Sequence, residues 1–185
     1  MEKEELTLKP LNKLNMLRKM IFISLALLSI VANAQTLWKS SRYGYTAEIP
    51  KGFNVQQIVG SNVDFKASSE ESRSSITIGV KQISFDNRKY SIGDLIGDLP
   101  TYMKNWEAGA YEYFNTPQVL KYGKTTLSDA TAIWFDYLTD NGLFYYKNYQ
   151  VVKGNLLYTI TFSCMYSKEP LNTPIWYRFK EQLKL

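Results

Sequence analysis

The sequence contains no histidine and a single cysteine, Cys164, in 185 residues. The first absence excludes Ser-His-Asp and Cys-His catalytic sets and histidine-ligated zinc. The second excludes an intramolecular disulfide and any CxxC redox or metal pair. No G-x-S-x-G elbow, S-x-x-K pair, P-loop or G-x-G-x-x-G occurs. The triplet Asp140-Asn141-Gly142 lacks the onward ligand spacing of a calcium loop and reads as a hairpin turn. No cofactor or metal is expected. Carboxylates are what remains for catalysis, and Asp94 and Asp98 would lie one helical turn apart. Helix-dipole complementation explains that pair as simply as a carboxylate-dependent hydrolase does. A nucleophile, base and orienter never occur together, so a non-enzyme is expected.

Long apolar runs are also lacking. The longest, Ile21 to Val31 ("IFISLALLSIV"), falls short of the roughly 20 residues a spanning helix needs. Arg18 and Lys19 precede it and Ala32-Asn33-Ala34 follows, the order of an export signal with Gln35 as the first mature residue. Residues 1–34 therefore read as an N-terminal extension and signal peptide, and 35–185 as one domain. The polar stretch before Met16 leaves Met1 or Met16 as the initiator. No cysteine stands at the cleavage site to carry a lipid, and no transmembrane span is expected after cleavage. The expected location is the periplasm or beyond it.

The leader holds five of the 22 basic and three of the 17 acidic residues, leaving 17 against 14 in the domain. No block of five basic residues remains, which argues against a nucleic-acid partner. A chain of this length buries roughly 68–70% of its unfolded surface, enough for a core without disulfide or metal. Aromatic residues make up 15% of the chain and favour strands.

Alternation and turn chemistry give the elements. Trp38 and Tyr45 to Ile49 open the domain, and Pro50-Lys51-Gly52 turns the chain. Val63 to Ala67 and Ile76 to Ile83 read as strands separated by a polar loop, Ser68 to Ser75. Ser91 caps a helix with Asp94 three residues on, and Ile92, Leu95, Ile96, Leu99, Met103 and Trp106 form its apolar stripe. Pro100 should kink it or divide it in two, and Gly93 and Gly97 read as small packing residues. Four strands follow: Val119 to Leu127, Ala130 to Leu138, Leu143 to Val152 and Leu156 to Cys164. Asn141-Gly142 and Gly154-Asn155 are two-residue hairpin turns. A last helix should be capped by Thr173, start at Pro174 and bury Ile175, Trp176, Phe179 and Leu183. This order is α+β with an antiparallel sheet.

The turns fix register, and register sorts the side chains. One face collects Trp134, Leu138, Tyr145, Tyr149, Val151, Tyr158, Ile160, Phe162 and Cys164 and should lie under a helix. Cys164 is then a buried thiol rather than a nucleophile. Asp136 opposite Lys147 should form an ion pair at the edge of that face, worth at most about 1 kcal/mol. The other face collects Phe135, Tyr137, Tyr146, Asn148, Gln150, Thr159, Thr161 and Ser163. It reads either as a plain wet surface or as a ligand face centred on Tyr137, Tyr146, Asn148, Gln150, Thr159 and Thr161. The second reading requires Tyr137 and Tyr146 to be open to solvent.

The opening stretch "YGYTAEIPKGF" (43–53) resembles the first motif of the PsbP-like superfamily. The segments "GKTTLSDATAIWFDY" (123–137) and "YYKNYQVVKGNLLYTITFSC" (145–164), with a helix before them and one after, agree in order and spacing. The resemblance implies an α/β/α sandwich around an antiparallel sheet and a non-enzymatic binding or assembly role. It carries over no site residue. The expected function is an exported binding or assembly module without cofactor, its partner another envelope protein or a glycan. A carboxylate-dependent hydrolase of envelope polysaccharide, or a protein dimerising through a sheet edge, are the other readings. Intact-mass measurement of the exported chain should give a polypeptide beginning at Gln35; a retained leader would refute the cleavage assignment.

Overall fold

A computed structural model describes residues 36–58, 60, 62–83 and 89–185. Ala32, Ala34 and Gln35, at the expected cleavage point, lie outside the described residues. From Thr36 onward the chain forms one compact unit.

A seven-stranded antiparallel sheet carries helices on both faces. Its strands are β3 (Asn54–Val55), β4 (Val63–Ser69), β5 (Ser74–Gln82), β6 (Gln118–Leu127), β7 (Ala130–Thr139), β8 (Phe144–Lys153) and β9 (Leu156–Met165). Their spatial order is β3-β4-β5-β9-β8-β7-β6. A separate pair, β1 (Leu37–Lys39) with β2 (Thr46–Glu48), completes the strands. The helices are α1 (Ile92–Ile96), α2 (Leu99–Ala110) and α3 (Glu169–Gln182).

The turns explain the register. Asp140, Asn141 and Gly142 all take positive φ, 51°, 57° and 83°, and the Gly142 and Leu143 N–H groups close on the Thr139 and Asp140 carbonyls at 3.1 and 3.2 Å. The hairpin thus turns through four residues, Asp140 to Leu143, where two were expected, and keeps the register. All five facing pairs expected around it are present, from Thr139 with Phe144 to Trp134 with Tyr149. The β8–β9 pairs around Gly154-Asn155 likewise fall as expected. A two-residue turn, Ser128-Asp129, joins β6 to β7 with both residues at positive φ, the type I′ geometry whose twist matches the strands. It contains no glycine and so gave no turn signal.

Several expectations need correction. The polar loop shrinks to Glu70–Arg73, because the flanking serines pair across β4 and β5. The first helix divides as Pro100 requires, with Asp98 capping α2 and Pro100 in its first turn. Gly97 is not a packing residue: it ends α1 at φ 61°, with open space around it. Leu95 is exposed and leaves the apolar stripe. Thr173 does not cap the last helix, which starts a full turn earlier behind the 3-10 turn Tyr166–Lys168. Pro170 occupies its first turn and Pro174 lies inside it, while the Thr173 hydroxyl donates to the Glu169 carboxylate.

The principal core lies between the sheet and α3. Trp176, Phe179 and Leu183 pack on Phe65, Ile76, Tyr145, Ile160 and Phe162, and β1–β2 adds Tyr45 and Ala47. Each of these large side chains contributes roughly 1.5–3 kcal/mol by burial. Asn172, fully buried, donates to the carbonyls of Ser72 and Lys168 and ties α3 to the β4–β5 turn. The last residues pair with β2, through Thr46 and Lys184 N–H groups at 2.9 and 3.0 Å. On the opposite face α1 and α2 cover a second core of Ile133, Phe135, Tyr137 and Val152.

The ion pair of Asp136 and Lys147 is not peripheral. Asp136 is fully buried, and Lys147 Nζ donates to its Oδ1 at 2.8 Å with 12% of the lysine side chain exposed. Lys121, largely in solvent, reaches the other oxygen at 3.4 Å. Lys147 also lies 4.9 Å above the Trp134 ring. Gly123 lets β6 pass beneath that indole, since a Cβ there would sit 3.0 Å from Nε1. The expected value of 1 kcal/mol holds for exposed pairs. Removing one member of a buried pair strands a charge and costs about 3–5 kcal/mol. Urea melts should therefore show Asp136→Ala losing that amount and Asp136→Leu/Lys147→Met recovering most of it. A single-variant loss below about 1 kcal/mol would make the pair no stronger than a surface one.

Candidate functional site

Cross-strand neighbours on the outer face fall into three rows. Ser68, Ser75, Ser163, Tyr146 and Tyr137 make the first. Lys66, Thr77, Thr161, Asn148 and Phe135 make the second. Gly79, Thr159, Gln150 and Ile133 make the third. Each row runs from polar or small residues on β4 or β5 to an apolar or aromatic residue on β7. The gradient follows the helix layer, which packs over the β6–β7–β8 half. On the β5–β9 half, Ser75, Thr77, Thr159, Thr161 and Ser163 keep partial exposure.

This division corrects part of the expected ligand face. Tyr137 is buried at 4% exposure, sandwiched among Trp106, Phe114 and Phe135. It belongs to the core beneath α2 and offers no platform to a ligand. Tyr146 stacks on it at 4.7 Å with nearly parallel rings and stays half-buried. Burial raises both phenols above their ordinary range, the Tyr146 one against a bond to Thr139. Asn148 and Gln150 are also buried. The Asn148 amide donates to Thr161 Oγ1 at 2.8 Å, and Gln150 Oε1 accepts from the Tyr102 hydroxyl at 2.9 Å. These two amides mark the border between the helix-covered half and the open half. Thr159 and Thr161 stand on the open side.

Serines and an arginine complete the open half. The Ser75 and Ser163 hydroxyls bond each other at 2.7 Å. A cleft of about 340 Å³ beside them is lined by Ser68, Glu70, Arg73, Phe144 and Tyr146. Arg73 donates to Met165 Sδ at 3.5 Å. Ser68, Ser75, Thr77 and Arg73 escaped the sequence reading because β5 meets β9 through a pairing more than 80 residues apart. The Ser75-Thr77-Gly79 alternation was the available signal.

The carboxylates first considered for catalysis are engaged in structure. Asp94 Oδ2 accepts from the backbone N–H and hydroxyl of Ser91 at 2.7 Å each, completing a capping box. Asp98 Oδ2 accepts from the Thr101 hydroxyl and backbone N–H at 2.7 and 3.0 Å. Those bonds hold the Asp98 carboxyl below the usual range, the wrong direction for a general acid. Glu107 accepts the Val119 N–H at 2.9 Å. No group of three or more His, Cys, Asp or Glu side chains is placed to hold a metal among the described residues. No helix among them is long and apolar enough to cross a membrane.

Comparisons agree on the fold. No family model and no curated protein matches the sequence. Among solved structures, the chain is similar to cyanobacterial PsbP (CyanoP) from Synechocystis sp. PCC 6803. That match has a TM-score of 0.63 and 12% identity, over 81% of this chain and 91% of the other. It is also similar to LpqN of Mycobacterium tuberculosis, described as involved in cell envelope biogenesis. There the TM-score is 0.54 and the identity 9%, over 81% and 89% of the two chains. The chain has a PsbP-like α+β fold.

Cys164 faces the α3 core at 3% exposure. Burial, with Glu169 nearby, pushes its thiol up to about 12. Burial also raises the phenols of Tyr45, Tyr145 and Tyr149. These groups keep their protons in the folded state, while unfolded thiols and phenols release theirs near pH 8.5 and 10. Their stabilisation is complete below those values and is lost as pH rises through the folded ones. Urea stability should thus fall progressively above about pH 9. Cys164 should resist an aromatic disulfide reagent at pH 8 until the chain is unfolded. Rapid native labelling would contradict its place in the core.

Proposed function

We propose that this chain is an exported, non-catalytic binding module that recognises a glycan of the cell envelope through the open half of its outer sheet face. One observation carries the reading: hydroxyls of Ser75, Thr77, Thr159, Thr161 and Ser163 stand in rows on a rigid sheet, beside the exposed Phe144 and half-exposed Tyr146. Sugars present hydroxyl edges and apolar ring faces together, and such a surface offers a complement to both. Arg73 adds a donor for an acidic sugar or phosphate substituent. The export-type leader in the sequence and the envelope association named for LpqN support the location. The engaged state of Asp94 and Asp98 supports binding without hydrolysis. A protein partner on the same face is the second outcome to distinguish.

A panel of soluble bacterial envelope glycans, followed by calorimetry on any ligand retained, tests the proposal. Ser68→Arg and Thr77→Arg place bulk over the rows without removing a core side chain, and each should weaken binding at least about tenfold, or 1.4 kcal/mol. Glycan binding that survives both substitutions, or no glycan retained at millimolar concentration, would overturn it.

A further inference from the structure

β6 closes one side of the sheet and is ten residues long, well beyond the usual five or six. Its two-residue turn makes Leu127 and Ala130 a hydrogen-bonded pair. Alternation along the ladder then directs the N–H and C=O groups of Tyr122, Lys124 and Thr126 away from β7. No described strand pairs with them. Proteins usually shorten, bulge or cover such an edge. Here the bulge is confined to Val119–Lys121, and Glu107 covers only the Val119 N–H. Among the described residues the stretch from Tyr122 to Thr126 is a regular, open ladder.

A groove of about 470 Å³ runs beside it, between α2 and β6. Met103 and Val119 lie at its base, and Tyr111, Tyr122 and Lys104 border it. Tyr111 is 61% exposed and Tyr122 is 42% exposed. An open ladder alongside an apolar groove is the combination used in strand addition: backbone bonds supply affinity, and a pocket selects side chains.

Charge selects the occupant. β6 contains Lys121 and Lys124 and no acid; at the groove Lys104 adds a third cation and Glu107 an anion, its carboxylate accepting the Val119 N–H. Asp98 keeps its charge while bonded to Thr101 and acts on Lys124, and Asp136 is shared by Lys121 and Lys147, so these groups leave four lysines against three acids. A second copy adding through β6 would bring two lysine-bearing, acid-free strands together, and like charges across a ladder are destabilising. Lysines on an edge guard against that self-pairing. An acidic strand meets the opposite condition. We infer that β6 is a docking edge for an extended, acidic segment of a partner protein, added as an eighth strand with an apolar side chain in the Met103–Tyr122 groove. This surface is separate from the hydroxyl rows, so either assignment can fail alone.

The test is selection of a displayed library of random nine-residue peptides on the purified full chain. Enriched peptides should combine Asp or Glu with apolar residues and shift the Tyr122 and Thr126 amide resonances. Lys124→Pro removes an outward N–H at a position where an edge strand tolerates proline, and should weaken binding at least about tenfold. Lys104→Glu/Lys124→Glu leaves the backbone intact and should weaken it at least about fivefold. Three results would overturn the inference: no enrichment, enriched peptides without acids, or affinity unchanged in the folded charge-reversal variant. A dimer in sedimentation that Lys124→Pro dissolves would also overturn it, by assigning the edge to a second copy.

Discussion

Register is the constraint on which the rest of this molecule depends. Turns of two residues join β6 to β7 and β8 to β9, and one of four joins β7 to β8, so little freedom is left in which side chain faces which. A slip of one residue would exchange the two faces of a strand. It would carry Phe162 and Ile160 out of the α3 core and put Thr161 and Ser163 in their place. It would also separate Asp136 from Lys147, and two buried charges without each other are far costlier than the pair. The positive φ angles at Ser128, Asp129, Asp140, Asn141, Gly142 and Gly154 are thus the local conditions for a global sorting.

The outer face is divided because its cover is narrow. Neighbouring strands lie about 4.8 Å apart, so seven span roughly 29 Å, whereas a helix is about 10–12 Å wide. The five residues of α1 and twelve of α2 can cover β7, part of β8 and the start of β6, and the side chains beneath them are Ile133, Phe135, Tyr137 and Val152. Beyond that limit an apolar residue would be left wet, and the sequence supplies serine, threonine and lysine instead. Asn148 and Gln150 stand where the two regimes meet, each satisfied by a neighbour: Thr161 on one side and Tyr102 on the other.

Local signals accounted for most of the architecture. Turn residues, caps and alternation gave the four C-terminal strands, their pairing and the division of the helix at Pro100. What sequence could not supply was anything set by distant partners. The β5–β9 contact is non-local, so the sheet order, and with it the contribution of Ser75 and Thr77 to the open face, was not readable from turns. Alternation puts Tyr137 on the outer face, but it identifies a face and not what lies upon it, and Trp106 of α2 covers the ring. The last helix was begun a turn late. Thr173-Pro174 is a strong start signal, yet Glu169-Pro170 one turn earlier is another, and the bonds from Asn172 back to Ser72 and Lys168 favour the earlier start.

The distribution of polar chemistry separates binding from catalysis. Catalysis needs a group whose protonation can change at the reacting atom. Here Asp94 and Asp98 are held by caps, Asp136 by lysine and Glu107 by a backbone amide, while the phenols of Tyr45, Tyr137, Tyr145 and Tyr149 and the Cys164 thiol are pushed toward permanent protonation by burial. The accessible polar groups include hydroxyls on the open half-face and, at β6, backbone amides flanked by lysine. Both present hydrogen-bonding groups on a sheet made rigid from behind by an aromatic core. A surface of this kind orders little on association and so keeps more of its contact energy as affinity. The same packing that buries the phenols and the thiol leaves the hydroxyl rows and the β6 edge open among the described residues.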